Sequence, residues 1–358
     1  MRTRPDLCTG WYLTIVLAGC IGEAPEPADD PNAATIVADE PATITPPAVS
    51  TPIDPSRPQL GGIAVDEGAE VIPQTTLHLW ALLPNGQLAT TYAWSVDQPL
   101  GSVSRFLPSN DIARPTFEAN AAGHYTFHVT MTAPDGMKTS AAFMVAVVPD
   151  ARVHVELLWH TPGDEDESDV GMIGSALMQR MAGSDVDLHV LDSLRNTHED
   201  AMAAAPEGWF HTQFDCCWLN PDPNVHSSSR RHDPRLDRDD TDGAGPENVN
   251  MTYFEENRCH AIGVHYWDDW GFGNTRATLR VYFDGVLAGE ASAELGNSDF
   301  WTVGTVCEST GEFVFGSHRV CSGTREPCNT DSDCDGRCNS DIVRNFQLPL
   351  ELQRLFGP

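Results

Sequence analysis

Apolar and polar positions alternate with a period of two along most of this chain, the mark of strands that bury one face. Tyr125, Phe127, Val129 and Met131 alternate with His124, Thr126, His128 and Thr130, which predicts a strand with both histidines facing solvent. Pro134-Asp135-Gly136 turns this strand into a second one over 141–148, and Pro84-Asn85-Gly86 separates strands at 76–82 and 91–96. In the 91–96 strand Tyr92, Trp94 and Val96 share a face. Several short strands around one buried Trp, between residues 60 and 150, predict a small sandwich of immunoglobulin type.

A second set of strands follows. Val153, Val155, Leu157 and Trp159 share one face of 151–159. In Ser184 to Val190, Asp185, Asp187 and His189 lie on one face and Val186, Leu188 and Val190 on the other. Ile262, Val264 and Tyr266 alternate within 259–267, with His265 on the other side. Ala277, Leu279, Val281 and Phe283 point inward from 276–283, and Asp284-Gly285 makes a tight hairpin into 286–293. Strands at 248–254, 299–307 and 312–315 complete the set. The methionine-rich stretch 171–182 predicts a short helix whose Met172, Leu177, Met178 and Met181 pack, and 199–205 a helical turn. No helical repeat runs through the region. The fold class is therefore all-β: an Ig-like sandwich over 60–150, a jelly-roll-like sandwich over 151–315 and a small disulfide-rich tail over 316–358. Leu348, Leu350, Leu352 and Leu355 near the C-terminus suggest an amphipathic docking segment or a frayed end.

The N-terminal pattern gives an address. Arg2 and Arg4 precede an apolar run from Trp11 to Ala18, too short to span a bilayer and of signal-peptide length. It ends in Leu17-Ala18-Gly19-Cys20, which resembles the bacterial lipobox. That resemblance implies cleavage after residue 19 and acylation of Cys20, an anchor to the cell envelope and to the outer membrane. Residues 20–59 follow as a tether: 21–59 holds nine prolines, seven acids and no aromatic residue, too little apolar surface to offset the entropy of ordering.

Charge and cysteines agree with export. The whole chain carries 21 basic and 52 acidic residues, a net charge of −31, which excludes nucleic acid as a partner. Cys216, Cys217, Cys259, Cys307, Cys321, Cys328, Cys334 and Cys338 predict disulfides in an oxidising compartment. Cys216 and Cys217 should not bond to each other, because a vicinal disulfide strains the peptide, so each is expected to reach elsewhere.

The acids cluster. Asp233 to Asn250 holds six carboxylates in fifteen residues with Gly243, Gly245 and Pro246, the composition of a loop wrapped around a cation. Asp185 and Asp187 also project together and repel unless something positive lies between them. Calcium suits hard oxygen ligands on flexible exported loops. The candidate ligands are Asp185, Asp187, Asp237, Asp239, Asp240, Asp242 and Glu247. The competing reading pairs these acids with Arg230, Arg231, Arg235 and Arg238. Asp331, Asp333, Asp335 and Gly336 fit half of a calcium loop, but Ile342 stands where its Glu belongs, so interleaved disulfides explain that stretch better.

Two family resemblances follow from these residues. Tyr92-Ala-Trp94-Ser-Val96, Pro115-Thr-Phe117 and Ala122-Gly-His-Tyr125 resemble bacterial PKD-type modules, which implies spacing or adhesion. Residues 151–315 resemble an uncharacterised family of bacterial lipoprotein domains similar to pre-peptidase C-terminal sandwiches. The segments Gly183 to His189, Leu236 to Glu247 and Gly263 to Trp267 carry that likeness, which implies an exported, non-catalytic module.

Enzyme signatures are absent: no Gly-x-Ser-x-Gly, no His-Glu-x-x-His and no phosphate loop. The function expected is a non-catalytic, calcium-stabilised binding, adhesion or scaffolding lipoprotein. One alternative is carbohydrate binding, with Trp270 and Phe272 as exposed stacking rings and Trp267 in the core. A metal-dependent hydrolase built on Asp187, His189, His232 and His265 is the other.

Overall fold

The computed structural model describes residues 35–36, 62–165, 167, 183–211, 213–225, 232–241, 243–253, 258–307, 310–316, 320–321, 338–339 and 341–356. Cys20, Asp242, Cys328, Cys334, Arg230, Arg231, the methionine-rich stretch and most of the half calcium loop lie outside them. Within the stretch read as a tether, β1 (Thr35–Ile36) pairs antiparallel with Ser292 and Ala291 on an edge strand of the second sandwich.

The first sandwich comprises β2 (Ile63–Val65), β3 (Glu70–Val71), β4 (Thr75–Ala81), β5 (Thr91–Asp97), β6 (Phe106–Leu107), β7 (Thr116–Ala119), β8 (Gly123–Thr132) and β9 (Lys138–Val147). Its sheets run β2-β4-β7-β6 and β3-β9-β8-β5. The period-two reading holds here, because Trp94, Tyr125, Phe127, Val129 and Met131 all enter one core with Leu77, Leu79 and Phe117. His78 and His128 sit on the outside against Glu67 and Asp97, at 2.6 and 2.9 Å.

The second sandwich begins with β10 (Val153–His160) and β11 (Asp185–Arg195), followed by α1 (His198–Gly208), β12 (Asp215–Cys216) and β13 (Arg235–Leu236). It continues through β14 (Glu247–Met251), β15 (Cys259–Asp268), β16 (Thr275–Phe283), β17 (Val286–Leu295), β18 (Phe300–Cys307) and β19 (Glu312–Phe315). After β20 (Val320–Cys321) and β21 (Cys338–Asn339), which pair with each other, come β22 (Ile342–Val343) and α2 (Leu350–Phe356). One sheet runs β1-β17-β16-β10-β14-β13 and the facing one β12-β11-β15-β18-β19, with β22 also on β18. Between them lies a core that includes Val155, Trp159, Val186, Leu188, Val190, Val264, Tyr266, Leu279 and Trp301.

Three expectations change. The helical turn expected at 199–205 is a full helix from His198, capped by the Thr197 hydroxyl, which accepts the Asp200 N–H. It covers the outer face of the β11-β15-β18 sheet, where Leu191, Ala205, Trp209, Phe210, Phe300 and Leu352 form a separate apolar layer. Cys216 and Cys217 are buried and free, which corrects their expected pairing; Cys259–Cys307 is the disulfide among the described residues. Finally, β10 is buried on both faces, because its second face meets the first sandwich.

That contact is polar. The wholly buried Glu156 accepts the Ala122 N–H at 2.6 Å and lies 3.3 Å from Arg280, which also donates to Glu290 at 2.6 Å and to the Leu100 carbonyl at 3.1 Å. Nearby, Asn120 donates to the Gly245 carbonyl at 3.3 Å, and Arg238 pairs with Glu118. The first sandwich thus grips the acidic loop of the second at two points.

Candidate metal centre

Asp187 stands on β11 directly opposite His265 on β15, and His189 stands opposite Gly263. The alternation of β11 sends Val186, Leu188 and Val190 into the core and leaves Asp185, Asp187 and His189 on the other face. Under α1 and the aromatic layer that face is also dry. Asp187, His189 and His265 are 2%, 0% and 3% exposed.

The acidic loop reaches this face from the opposite sheet. Gly243 and Gly245 adopt φ of 93° and 76°, as the loop composition predicts. A Cβ on Gly245 would lie 2.7 Å from the Trp159 ring and 2.8 Å from the Leu157 carbonyl, so only glycine lets the loop lie flat on β10. Pro246 then leads into β14, whose first residue, Glu247, is fully buried. Glu247 Oε2 accepts the Leu188 N–H at 2.7 Å and Oε1 accepts the Asp240 N–H at 3.1 Å. β12 covers β11 only at Val190 and Leu191, which leaves the Leu188 N–H to this carboxylate. Glu247 therefore ties the loop to the strand that carries Asp187.

Oxygens of Asp187, Asp239 and Glu247 lie within 4.8 Å of one another. Burial, reinforced by Asp185, Glu247, Asp239 and Asp215, holds the Asp187 carboxyl well above the usual carboxylate range. Glu247 is likewise raised, by burial first, with Asp239 and Asp185 adding to it, against the lowering effect of the Leu188 and Asp240 N–H donors. Asp239, at the exposed rim, is raised by partial desolvation. Asp187 Oδ2 has no hydrogen-bond partner. An all-oxygen set of this kind fits a hard divalent cation, which would turn the mutual repulsion into attraction.

Beside it lies a nitrogen-bearing set. His189 Nδ1 is 2.8 Å from Asp215 Oδ2, which also accepts the Phe210 N–H at 2.6 Å. His265 Nδ1 is 3.7 Å from Asp187 Oδ2, beyond hydrogen-bond reach. Burial, aided by His189, pushes the His265 pKa down to about 3, so its ring is neutral. One ligand atom each from Asp187, His189 and His265 also falls within 4.8 Å of the others.

A cleft of about 280 Å³ opens onto the carboxylates, lined by Asp185, Asp187, Trp218, Asp239, Thr241 and Trp267. The two indoles meet edge to face with centroids 5.1 Å apart.

Of the predicted ligands, Asp187, Asp239 and Glu247 come together and Asp185 lines the same cleft. Asp240 is buried beside them and contributes its N–H to Glu247. Asp237 departs: its carboxylate takes Asn250 on β14 and lies near Arg235 rather than in the cluster. Arg238, one of the expected partners of the loop acids, pairs with Glu118 of the first sandwich. His232 lies beside Tyr253, ring centroids 6.0 Å apart, and does not join the group formed by the other three residues of the hydrolase set. Trp267 packs against the apolar layer, as expected, and also forms a wall of the cleft, while Trp270 is exposed in a turn. The sequence reading missed Asp215 and Trp218, which flank the Cys216-Cys217 pair. Their one signal was an acid and an aromatic enclosing two cysteines, and that points to stapling as readily as to a site.

No protein-family model matches the chain, and no curated protein does. Among solved structures, the fibronectin(III)-like modules of Clostridium thermocellum CbhA align over 66% of this chain and 94% of their own, at 12% identity and a TM-score of 0.20. The Yersinia pseudotuberculosis adhesin InvE aligns over 66% of this chain and 57% of its own, at 12% identity and a TM-score of 0.17. Overlaps this loose carry no argument about function.

Proposed function

We propose that this protein is a calcium-stabilised binding module of the cell envelope, with the second sandwich as its ligand-bearing part and the first as its buttress. One observation carries the reading: Asp187 and Glu247, both buried, bring oxygens within 4.8 Å of each other and of Asp239, and Asp187 Oδ2 has no hydrogen-bond partner. Burying like charges without a counter-ion is costly, and a calcium ion held by these oxygens offsets that penalty. Membrane attachment through Cys20 belongs to the same proposal and rests on the lipobox resemblance alone.

The ion would order the acidic loop and with it the cleft. The paired indoles of Trp218 and Trp267 beside carboxylates favour a glycan as the ligand, since ring faces hold the apolar side of a sugar and carboxylates bind its hydroxyls.

Calorimetry tests the ion. At a free calcium concentration one hundred times its Kd, binding stabilises by about 2.7 kcal/mol. For a domain of this size that raises Tm by about 5–10 °C. The rise should appear in the full chain, vanish with excess chelator and vanish in Asp239→Asn. Identical melting with calcium and with chelator would refute the proposal.

A further inference from the structure

The carboxylate cluster accounts for Asp187, Asp239 and Glu247 but not for the two histidines beside it. His189 and His265 lie among Trp209, Phe210, Phe300 and Phe346, whose rings pack at centroid distances of 4.5 to 6.0 Å from one or the other. Such packing satisfies the carbon faces of an imidazole. It does nothing for the nitrogens, and a buried nitrogen without a partner costs about 1–3 kcal/mol.

Three such atoms belong to residues that bring one ligand atom each within 4.8 Å of the others. His189 Nε2, His265 Nδ1 and Asp187 Oδ2 are all buried without a hydrogen-bond partner. The other nitrogen of His189 faces Asp215 Oδ2 at 2.8 Å, and that carboxylate is itself fixed by the Phe210 N–H. A carboxylate behind an imidazole sets its tautomer: Nδ1 carries the proton and Nε2 keeps its lone pair for a ligand. His265 Nδ1 lies 3.7 Å from the unpartnered Asp187 oxygen. Two imidazoles and one carboxylate suit borderline metals such as zinc, whereas calcium prefers oxygen.

We propose that Asp187, His189 and His265 form a second metal site, for an ion of the zinc class, adjoining the oxygen cluster and sharing Asp187 with it. Asp215 is a positioning residue for His189. The proposal does not rest on the calcium reading; only Asp187 is common to both. Its role here is ligation, with no reaction assigned.

Cobalt(II) serves as the probe, because a site with nitrogen ligands and low coordination number gives visible ligand-field bands that calcium sites do not. The metal-free full chain should bind one equivalent of cobalt with such bands, which zinc displaces and excess calcium leaves in place. His265→Gln should lose the bands but keep the calcium-dependent rise in Tm, and Asp239→Asn should do the reverse. Asp215→Asn should weaken cobalt binding about 10–100-fold, the usual effect of removing a carboxylate behind a ligating histidine. Cadmium NMR of the unmutated chain reads nitrogen ligation directly and covers the case in which a variant fails to fold. Absence of bands in the unmutated chain, or bands that survive in His265→Gln, would overturn the proposal and leave a hydrated polar pocket or adventitious surface histidines.

Discussion

Replacing Arg280 with Met probes the joint between the sandwiches, because the guanidinium there sustains a charge that the fold otherwise cannot hold. Glu156 has no exposed surface, and burial raises its pKa despite the Arg280 charge and the Ala122 N–H. Arg280→Met keeps the length and the apolar stem but strips the carboxylate of its counter-ion, which for a buried pair costs about 3–5 kcal/mol. Glu156→Gln leaves an acceptor for Ala122, and Arg280 keeps Glu290 and the Leu100 carbonyl, so its cost is nearer the 1–3 kcal/mol of a disturbed buried hydrogen bond. The double variant should be less destabilised than the sum of the two, by about 0.5–3 kcal/mol. A pH test has a fixed sign. The folded pKa of Glu156 lies above its unfolded value, so its ionisation opposes folding, and stability falls as pH rises from the unfolded pKa through the folded one. Without Arg280 that fall should steepen, making the penalty of Arg280→Met large at about pH 8 and small at about pH 5. Urea unfolding of the full chain, followed by tryptophan fluorescence, supplies all four stabilities at both pH values. A Glu156→Gln penalty equal to that of Arg280→Met, or a pH-independent Arg280→Met penalty, would refute the reasoning.

Two further outcomes follow from buried groups elsewhere. Burial lowers the His154 pKa from 6.5 to about 4 against a raising contact with Asn250 Oδ1 at 2.7 Å. A base with a depressed folded pKa contributes fully above its unfolded pKa and loses that contribution as pH falls, here on the order of 3 kcal/mol between about pH 6.5 and 4. His154→Gln should flatten that acid limb in urea titrations, and an unchanged limb would place the acid sensitivity elsewhere. The Cys259–Cys307 bond closes a loop of 48 residues and so should contribute about 4 kcal/mol by restricting the unfolded chain. The paired Ala variant should show that loss in urea unfolding without a change in the calcium-dependent shift in Tm.

What the sequence revealed and what it hid divide along one physical line, the range of the interaction. Side-chain alternation is a property of consecutive residues, so Asp185, Asp187 and His189 could be placed together, opposite Val186, Leu188 and Val190, from six letters. Glycine conformation is equally local, and Gly243 and Gly245 sit in the left-handed region that their loop demanded. The choice among the loop acids was not local. Asp237 and Asp239 differ by two positions and by nothing in composition, yet Asp237 faces Asn250 and only Asp239 meets Glu247, because the loop lies flat on β10 where Gly245 touches Trp159. Strand register decides the histidines: His265 is seventy-eight positions from Asp187 and becomes its neighbour through the β11–β15 ladder. The same limit hid the polar face of β10. A strand reading VHVELLW shows which residues can share a face, but whether the second face meets water or another domain depends on surfaces brought up from far along the chain. Glu156 on that face could be read as a solvent-exposed acid until Ala122 and Arg280 closed around it. Long-range pairing thus decides whether a carboxylate is surface charge, a joint or a ligand, and in this chain Asp237, Glu156 and, in the proposed metal site, Asp187 take those three roles.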